Sequence, residues 1–163
     1  MRPTKRLVLL VTVTLMMLSL FAGPVHAHGD DNDDASLMVS IESADYLALD
    51  ADQIENDIIT EFTITLPDGE WSFGMTYIYC EIELPSGLTF YCEIVAIGSY
   101  NTLGLVLGWH NTAIETGWYT FRVFARVYGN HVPDSGYDSF AFDPPTDGDP
   151  APPVIEIIEV IIE

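Results

Sequence analysis

Basic residues are nearly absent from this chain. Only 5 of its 163 residues are Lys or Arg, against 25 Asp or Glu, and three of those five (Arg2, Lys5, Arg6) lie within the first six positions. A chain this short of cations repels phosphate-rich partners, so nucleic acid and anionic lipid surfaces are excluded. Catalytic signatures are missing too. His28, His110 and His131 have no Ser, Cys or Asp partner at a telling spacing, and there is no Gly-rich phosphate loop. Carboxylates are too plentiful for any pair to mark a glycosidase. The chain is therefore expected not to be an enzyme. It has only two cysteines, and they are not spaced Cys-x-x-Cys, which argues against a redox pair. No stretch has a convincing helical period.

What is present begins with an export signal. Met1 to Arg6 is basic, Leu7 to Ala22 is apolar, and Val25-His-Ala27 puts small residues where a signal peptidase cuts. Residues 1–27 are read as a secretory signal peptide, so the protein is expected to be secreted or at the cell surface, with His28 as its new N-terminus. The apolar run is short for a membrane span, which needs roughly 20 residues, and the membrane enters only if the signal stays uncleaved. Once the signal is gone, 25 carboxylates face only Arg122 and Arg126, a net charge of −23. Such acidity suits solubility, a high-salt setting, metal cations or basic partners.

Residues 28–36 form an acidic leader, and from Leu37 the pattern turns to period two. Leu37, Val39 and Ile41 share one face, as do Thr60, Phe62, Ile64 and Leu66 further on. Met75–Leu84 and Leu88–Val95 flank Pro85-Ser-Gly87, a three-residue hairpin loop with Gly in the left-handed position. Centring the hairpin on Ser86 pairs Leu84 with Leu88, Ile82 with Phe90 and Cys80 with Cys92. Strands are further expected at 102–109, 118–128 and 137–142. Residues 144–153 are a Pro/Asp-rich linker, and 154–163 a β-branched tail strand. Short strands separated by turns predict an all-β sandwich over 37–143.

Glu115-Thr-Gly-Trp-Tyr-Thr-Phe-Arg-Val-Phe-Ala125 resembles the corner and penultimate strand of immunoglobulin-like and fibronectin type III-like domains. The resemblance implies an antiparallel sandwich of about seven strands, with Tyr119 as a corner tyrosine bonded back to backbone. Tyr79 to Gly87 is similar to the third strand and turn of surface-protein modules of that superfamily. The cysteines are not placed to bridge the two sheets, so antibody-type homology is not implied.

The candidate sites follow. Cys80 and Cys92, opposite each other in an exported chain, favour a disulfide, the alternative being two buried thiols. Because 80–92 falls on a hydrogen-bonded pair, the geometry for a bridge is less roomy. An immunoglobulin-like path gathers Asp50, Asp52, Asp57, Asp143, Asp147 and Asp149 at one end, with Glu115 nearby. This resembles the calcium-stiffened junctions of cadherin-like arrays, although the local motif lacks the EF-hand glycine. At the other end, His28 and His131 resemble the copper ligands of small exported carriers of the CopC type, except that Asn130 replaces the expected acid.

The outward side of the long strand carries Trp118, Arg122, Phe124, Arg126 and Tyr128, and the outward side of the hairpin carries Tyr77, Tyr79 and Tyr91. If these strands share a sheet, they form an exposed aromatic face suited to an extracellular protein or glycan. The sequence thus predicts a non-catalytic, exported recognition or structural module, with self-assembly through the C-terminal strand, although that strand could equally pair back on its own domain or be the first strand of a further one. Copper or calcium binding is the alternative.

Overall fold

The computed structural model describes residues 8–12, 37–50, 52, 54–66, 74–128, 134–144 and 151–163. These residues form nine strands and no helix: β1 (Val8–Thr12), β2 (Met38–Leu47), β3 (Asp57–Thr65), β4 (Gly74–Glu83), β5 (Thr89–Gly98), β6 (Thr102–His110), β7 (Tyr119–Tyr128), β8 (Asp134–Phe142) and β9 (Val154–Ile162). They pair into two antiparallel sheets, a front sheet in the order β1-β5-β4-β7-β8 and a back sheet in the order β2-β3-β6-β9. The expected all-β sandwich is what forms.

Alternation decides which side chains meet between the sheets. Phe62, Ile64, Leu103, Leu105, Leu107 and Trp109 of the back sheet face Ile78, Ile82, Ile94, Phe121 and Val123 of the front sheet, all essentially without solvent exposure. Trp109 meets the Phe121 ring edge-on at 5.9 Å, and Phe62 tilts against it at 6.1 Å. Aromatic contacts of this geometry add to the burial of area alone. The Trp109 indole N–H donates to Thr60 Oγ1 at 3.0 Å, so its polar atom is satisfied inside the core.

The β4–β5 hairpin has the anticipated register, from Glu83↔Thr89 through Cys80↔Cys92 to Gly74↔Gly98. Leu84 N–H donates to the Leu88 carbonyl at 2.8 Å, and Gly87 takes a φ of 85°, which favours glycine. Tyr119 forms the expected corner. Its hydroxyl donates to the Glu115 carbonyl at 2.9 Å and accepts the Glu115 N–H at 2.8 Å.

The path departs from the expected one at β2 and decides between the readings of the tail. β2 is continuous across what the sequence divides in two. A bulge between Ile41 and Ser43 shifts the register and turns Ala44 inward. β9 pairs antiparallel with β6 of its own chain, as the outermost strand of the back sheet. A Cβ at Gly104 would lie 3.2 Å from Ile161, and one at Gly108 would lie 3.0 Å from Ile158, so these glycines make room for the tail. β1, part of the segment read as a signal, pairs with β5 from Val8↔Ile97 to Thr12↔Glu93. The rest of residues 1–36 lies outside the described residues. No helix among those described is long and apolar enough to cross a membrane.

The sandwich closes along one side where β8 meets β2. Asp138 Oδ2 accepts the Ile41 N–H at 2.8 Å. A Cβ at Gly136 would stand 2.5 Å from the Leu37 carbonyl oxygen and 2.9 Å from Val39 Cγ2. Backbone cannot yield as a side-chain tip can, so Gly136→Ala is expected to cost about 1–3 kcal/mol, read as a lower urea midpoint at unchanged slope.

Candidate functional site

Two regions collect the residues of interest, and both follow from strand pairing. The first is the outer face of the front sheet. Pairing β4 with β7 sets Tyr77 against Arg126, Tyr79 against Phe124 and Glu81 against Arg122. Pairing β7 with β8 sets Phe124 against Tyr137. An aromatic row, Tyr79–Phe124–Tyr137, therefore crosses three neighbouring strands. Tyr137 is 57% exposed, Phe124 42% and Tyr77 44%, and Trp118 at the end of the face is 67% exposed. The expected residues are thus brought onto one face, and Tyr137 joins them. Its place on this face was hard to read because β8 is rich in Ser, Asp and Gly.

These side chains do not all stand equally free. Arg122 is held by Glu81 at 2.9 Å and by Glu83 at 2.5 Å. Burial alone would lower the Arg122 pKa, but the two carboxylates outweigh it and raise it further. Its charge is committed to the sheet. Tyr79 stacks on Tyr91 at 5.6 Å and donates its hydroxyl to Glu81 at 2.9 Å. Burial first, and then Glu81, push the Tyr79 hydroxyl above its ordinary range. Arg126 lies over the Tyr128 ring at 5.2 Å, a cation–π contact at the surface.

Beneath this face, Cys80 and Cys92 sit opposite each other, but the expected disulfide is not formed: both are free, buried thiols. The Leu84–Leu88 bond puts every second pair, 80–92 included, in the hydrogen-bonded class, where the Cα atoms stand farther apart. Burial, and next the neighbouring Cys92, push the Cys80 thiol well above its usual range, which suppresses the reactive thiolate.

The second region is the end where β2 leaves, β3 begins and β6 ends. Asp57 is fully buried. Its Oδ2 accepts the N–H groups of Leu49 (2.6 Å) and Asp50 (3.1 Å), and its Oδ1 accepts that of Asn111 (2.8 Å). His110 Nδ1 lies 3.5 Å from Asp57 Oδ2, while its Nε2 meets Glu156 of β9 at 2.9 Å. Burial lowers the His110 pKa, but Glu156 and Asp57 together carry it upward. Ligand atoms of Asp50, Asp57 and His110 all lie within 4.8 Å of one another.

The acidic group is thus only partly assembled. Asp50 and Asp57 come together, and Asp52 is occupied by the Ile54 N–H in a local turn. Glu115 caps the hairpin through Ser86 at 2.7 and 2.9 Å. Asp143 is exposed at the exit of β8, and Asp147 and Asp149 lie outside the described residues, as do His28 and His131. Sequence reasoning missed His110 and Glu156. The inward run Leu103-x-Leu-x-Leu-x-Trp109 already turned His110 outward, but nothing local said that Asp57 would be its neighbour.

At the opposite end, Leu66, Thr76, Tyr100 and Val127 line a cavity of about 10 Å³, room for one water at most. Comparison with protein-family models, with curated proteins and with solved structures finds no match. The fold and the face therefore define the class on physical grounds: a two-sheet antiparallel sandwich with an exposed aromatic face.

Proposed function

We propose that this chain is a non-catalytic, exported recognition module of the immunoglobulin-like superfamily, binding an extracellular protein or glycan through the outer face of its front sheet. The carrying observation is the Tyr79–Phe124–Tyr137 row, which lies across three adjacent strands and is open to solvent at Phe124 and Tyr137. Aromatics bring large contact area at low entropic cost, and they dominate binding energies where they cluster. In an exported chain of net charge −23, the only two arginines also lie on this face. Arg122 is held by two glutamates, so its charge is not free to attract an anionic partner, and the aromatic rings are left as the contact surface.

The superfamily reading draws support from strand order. With β2 to β8 taken as the core, β2-β3-β6 form one sheet and β5-β4-β7-β8 the other. This is an arrangement in which the penultimate strand carries the corner tyrosine, here Tyr119. β9 then extends the back sheet beyond the core.

The test is the double variant Phe124→Ala/Tyr137→Ala, not a change at Arg122, whose loss would loosen the sheet. The two exposed rings stabilise the sheet by about 0.2–1 kcal/mol per cross-strand pair, so the variant should fold. Retention on intact cells, on insoluble polysaccharides and on an immobilised extracellular protein fraction is expected to fall at least about tenfold on whichever surface the parent binds. Equal retention by parent and variant would end the proposal.

A further inference from the structure

The geometry points to a divalent transition-metal site at the β3–β6 corner, with His110 Nδ1, Asp57 and Asp50 as ligands and Glu156 as the residue that orients the imidazole. An ionised carboxylate only accepts hydrogen bonds, so the Glu156 contact at 2.9 Å places the ring proton on Nε2. In the neutral ring, Nδ1 then carries a lone pair; in the protonated ring, which Glu156 and Asp57 favour, Nδ1–H faces Asp57 and a metal takes the place of that proton. That atom is buried, has no hydrogen-bond partner, and faces Asp57 Oδ2 at 3.5 Å. A lone pair opposite a carboxylate is repulsive unless a positive centre lies between them.

A second buried acceptor in the same corner also lacks a donor. Asn56 is 1% exposed and its Oδ1 is unpartnered, while its Nδ2 donates to Asn111, the residue after His110. Asn56 Oδ1 and, in the neutral ring, His110 Nδ1 are thus buried acceptors without a donor beside two carboxylates, a setting that favours a bound cation.

The spacing fits an ion. Two ligands of one tetrahedral centre, each at roughly 2.0–2.1 Å, stand about 3.3 Å apart, close to the His110–Asp57 separation. All three ligand atoms fall within 4.8 Å of one another. Glu156 completes the carboxylate–histidine–metal arrangement that holds ligating imidazoles in place. Asp57 is positioned by three backbone N–H groups, as ligating carboxylates commonly are. The nitrogen donor sets the ligand class. Calcium and magnesium take oxygen shells, whereas imidazole with carboxylates suits zinc and its neighbours. The site is independent of the aromatic face.

Zinc(II) is the probe, added to metal-stripped protein and followed by calorimetry, by thermal melting and by the ring ¹⁵N shifts of His110. One equivalent should bind and raise the melting temperature, the His110 Nδ1 resonance should move, and millimolar calcium should not compete. His110→Ala and Asp50→Asn should each weaken binding at least about tenfold, while His28→Ala and the Phe124/Tyr137 variant should leave it unchanged. If His110→Ala does not fold, the surface variant Asp50→Asn and the ring shift of the parent decide the matter. Zinc binding that persists in His110→Ala, or a His110 ring that does not respond to zinc, overturns the site and leaves a proton as the only cation the corner holds.

Discussion

Replacing Asp57 with alanine is expected to remove about 3–5 kcal/mol of folding stability, seen as a large drop in the denaturant midpoint of the metal-free protein. The carboxylate is fully buried and accepts N–H groups from Leu49, Asp50 and Asn111, tying the β2–β3 loop to the end of β6. Alanine strands those donors, and each costs about 1–3 kcal/mol unless water reaches it. Asn111 takes a φ of 56°, which asparagine tolerates better than most residues, and its N–H would lose its acceptor. Asp57→Asn keeps the shape and one acceptor oxygen, so roughly half the loss is expected. The sign of the effect is informative. On charge alone, deleting one of 25 carboxylates opposed by so few cations should relieve self-repulsion and stabilise the fold. A stabilised Asp57→Ala would mean that charge relief outweighs the three hydrogen bonds.

That corner also shows where a sequence stops being legible. Period-two patterning names the inward residues in and beside β2 and β3 correctly, Leu37, Val39 and Ile41 and then Thr60, Phe62, Ile64 and Leu66. Local turn chemistry is equally readable. Pro85-Ser-Gly87 determines the hairpin, and the hairpin register puts Cys80 beside Cys92. Pairing did not settle chemistry, because a hydrogen-bonded pair holds the thiols apart. Non-local neighbours are another matter. Asp57 and His110 meet only because β3 pairs with β6, Ile58 opposite Trp109, and alternation contains nothing about which strand lies next to which. The tail posed the same problem. Val154–Ile162 reads as a strand, yet its place against β6 depends on Gly104 and Gly108 having no side chains where Ile161 and Ile158 come to lie. The aromatic face was visible in outline, since both of its main strands alternate cleanly. Tyr137 was not, because β8 closes the sandwich through Asp138 and Gly136 rather than through a run of apolar residues.

Trp109→Ala is the second large effect, and it tests the joint between the sheets rather than the corner. The indole is completely buried on the back sheet and reaches across to the Phe121 ring of the front sheet. Truncation to alanine removes that burial and leaves a cavity, at a cost of about 3–5 kcal/mol. Set against a total stability of about 5–15 kcal/mol, this is about a fifth or more of what a domain of this size holds. Trp109→Phe separates packing from hydrogen bonding. The ring is largely retained, and Thr60 Oγ1 loses its donor, so about 1–2 kcal/mol is expected. The part of the near-ultraviolet circular dichroism that comes from the fixed, buried Trp109 indole should be lost in both variants. Because Trp109 sits opposite Ile58, next to Asp57, the two sites share a backbone. Asp57→Asn combined with Trp109→Phe should therefore depart from additivity by more than about 0.5 kcal/mol. Strict additivity would show that the corner and the core are energetically uncoupled, and that the buried carboxylate fastens only its own loops.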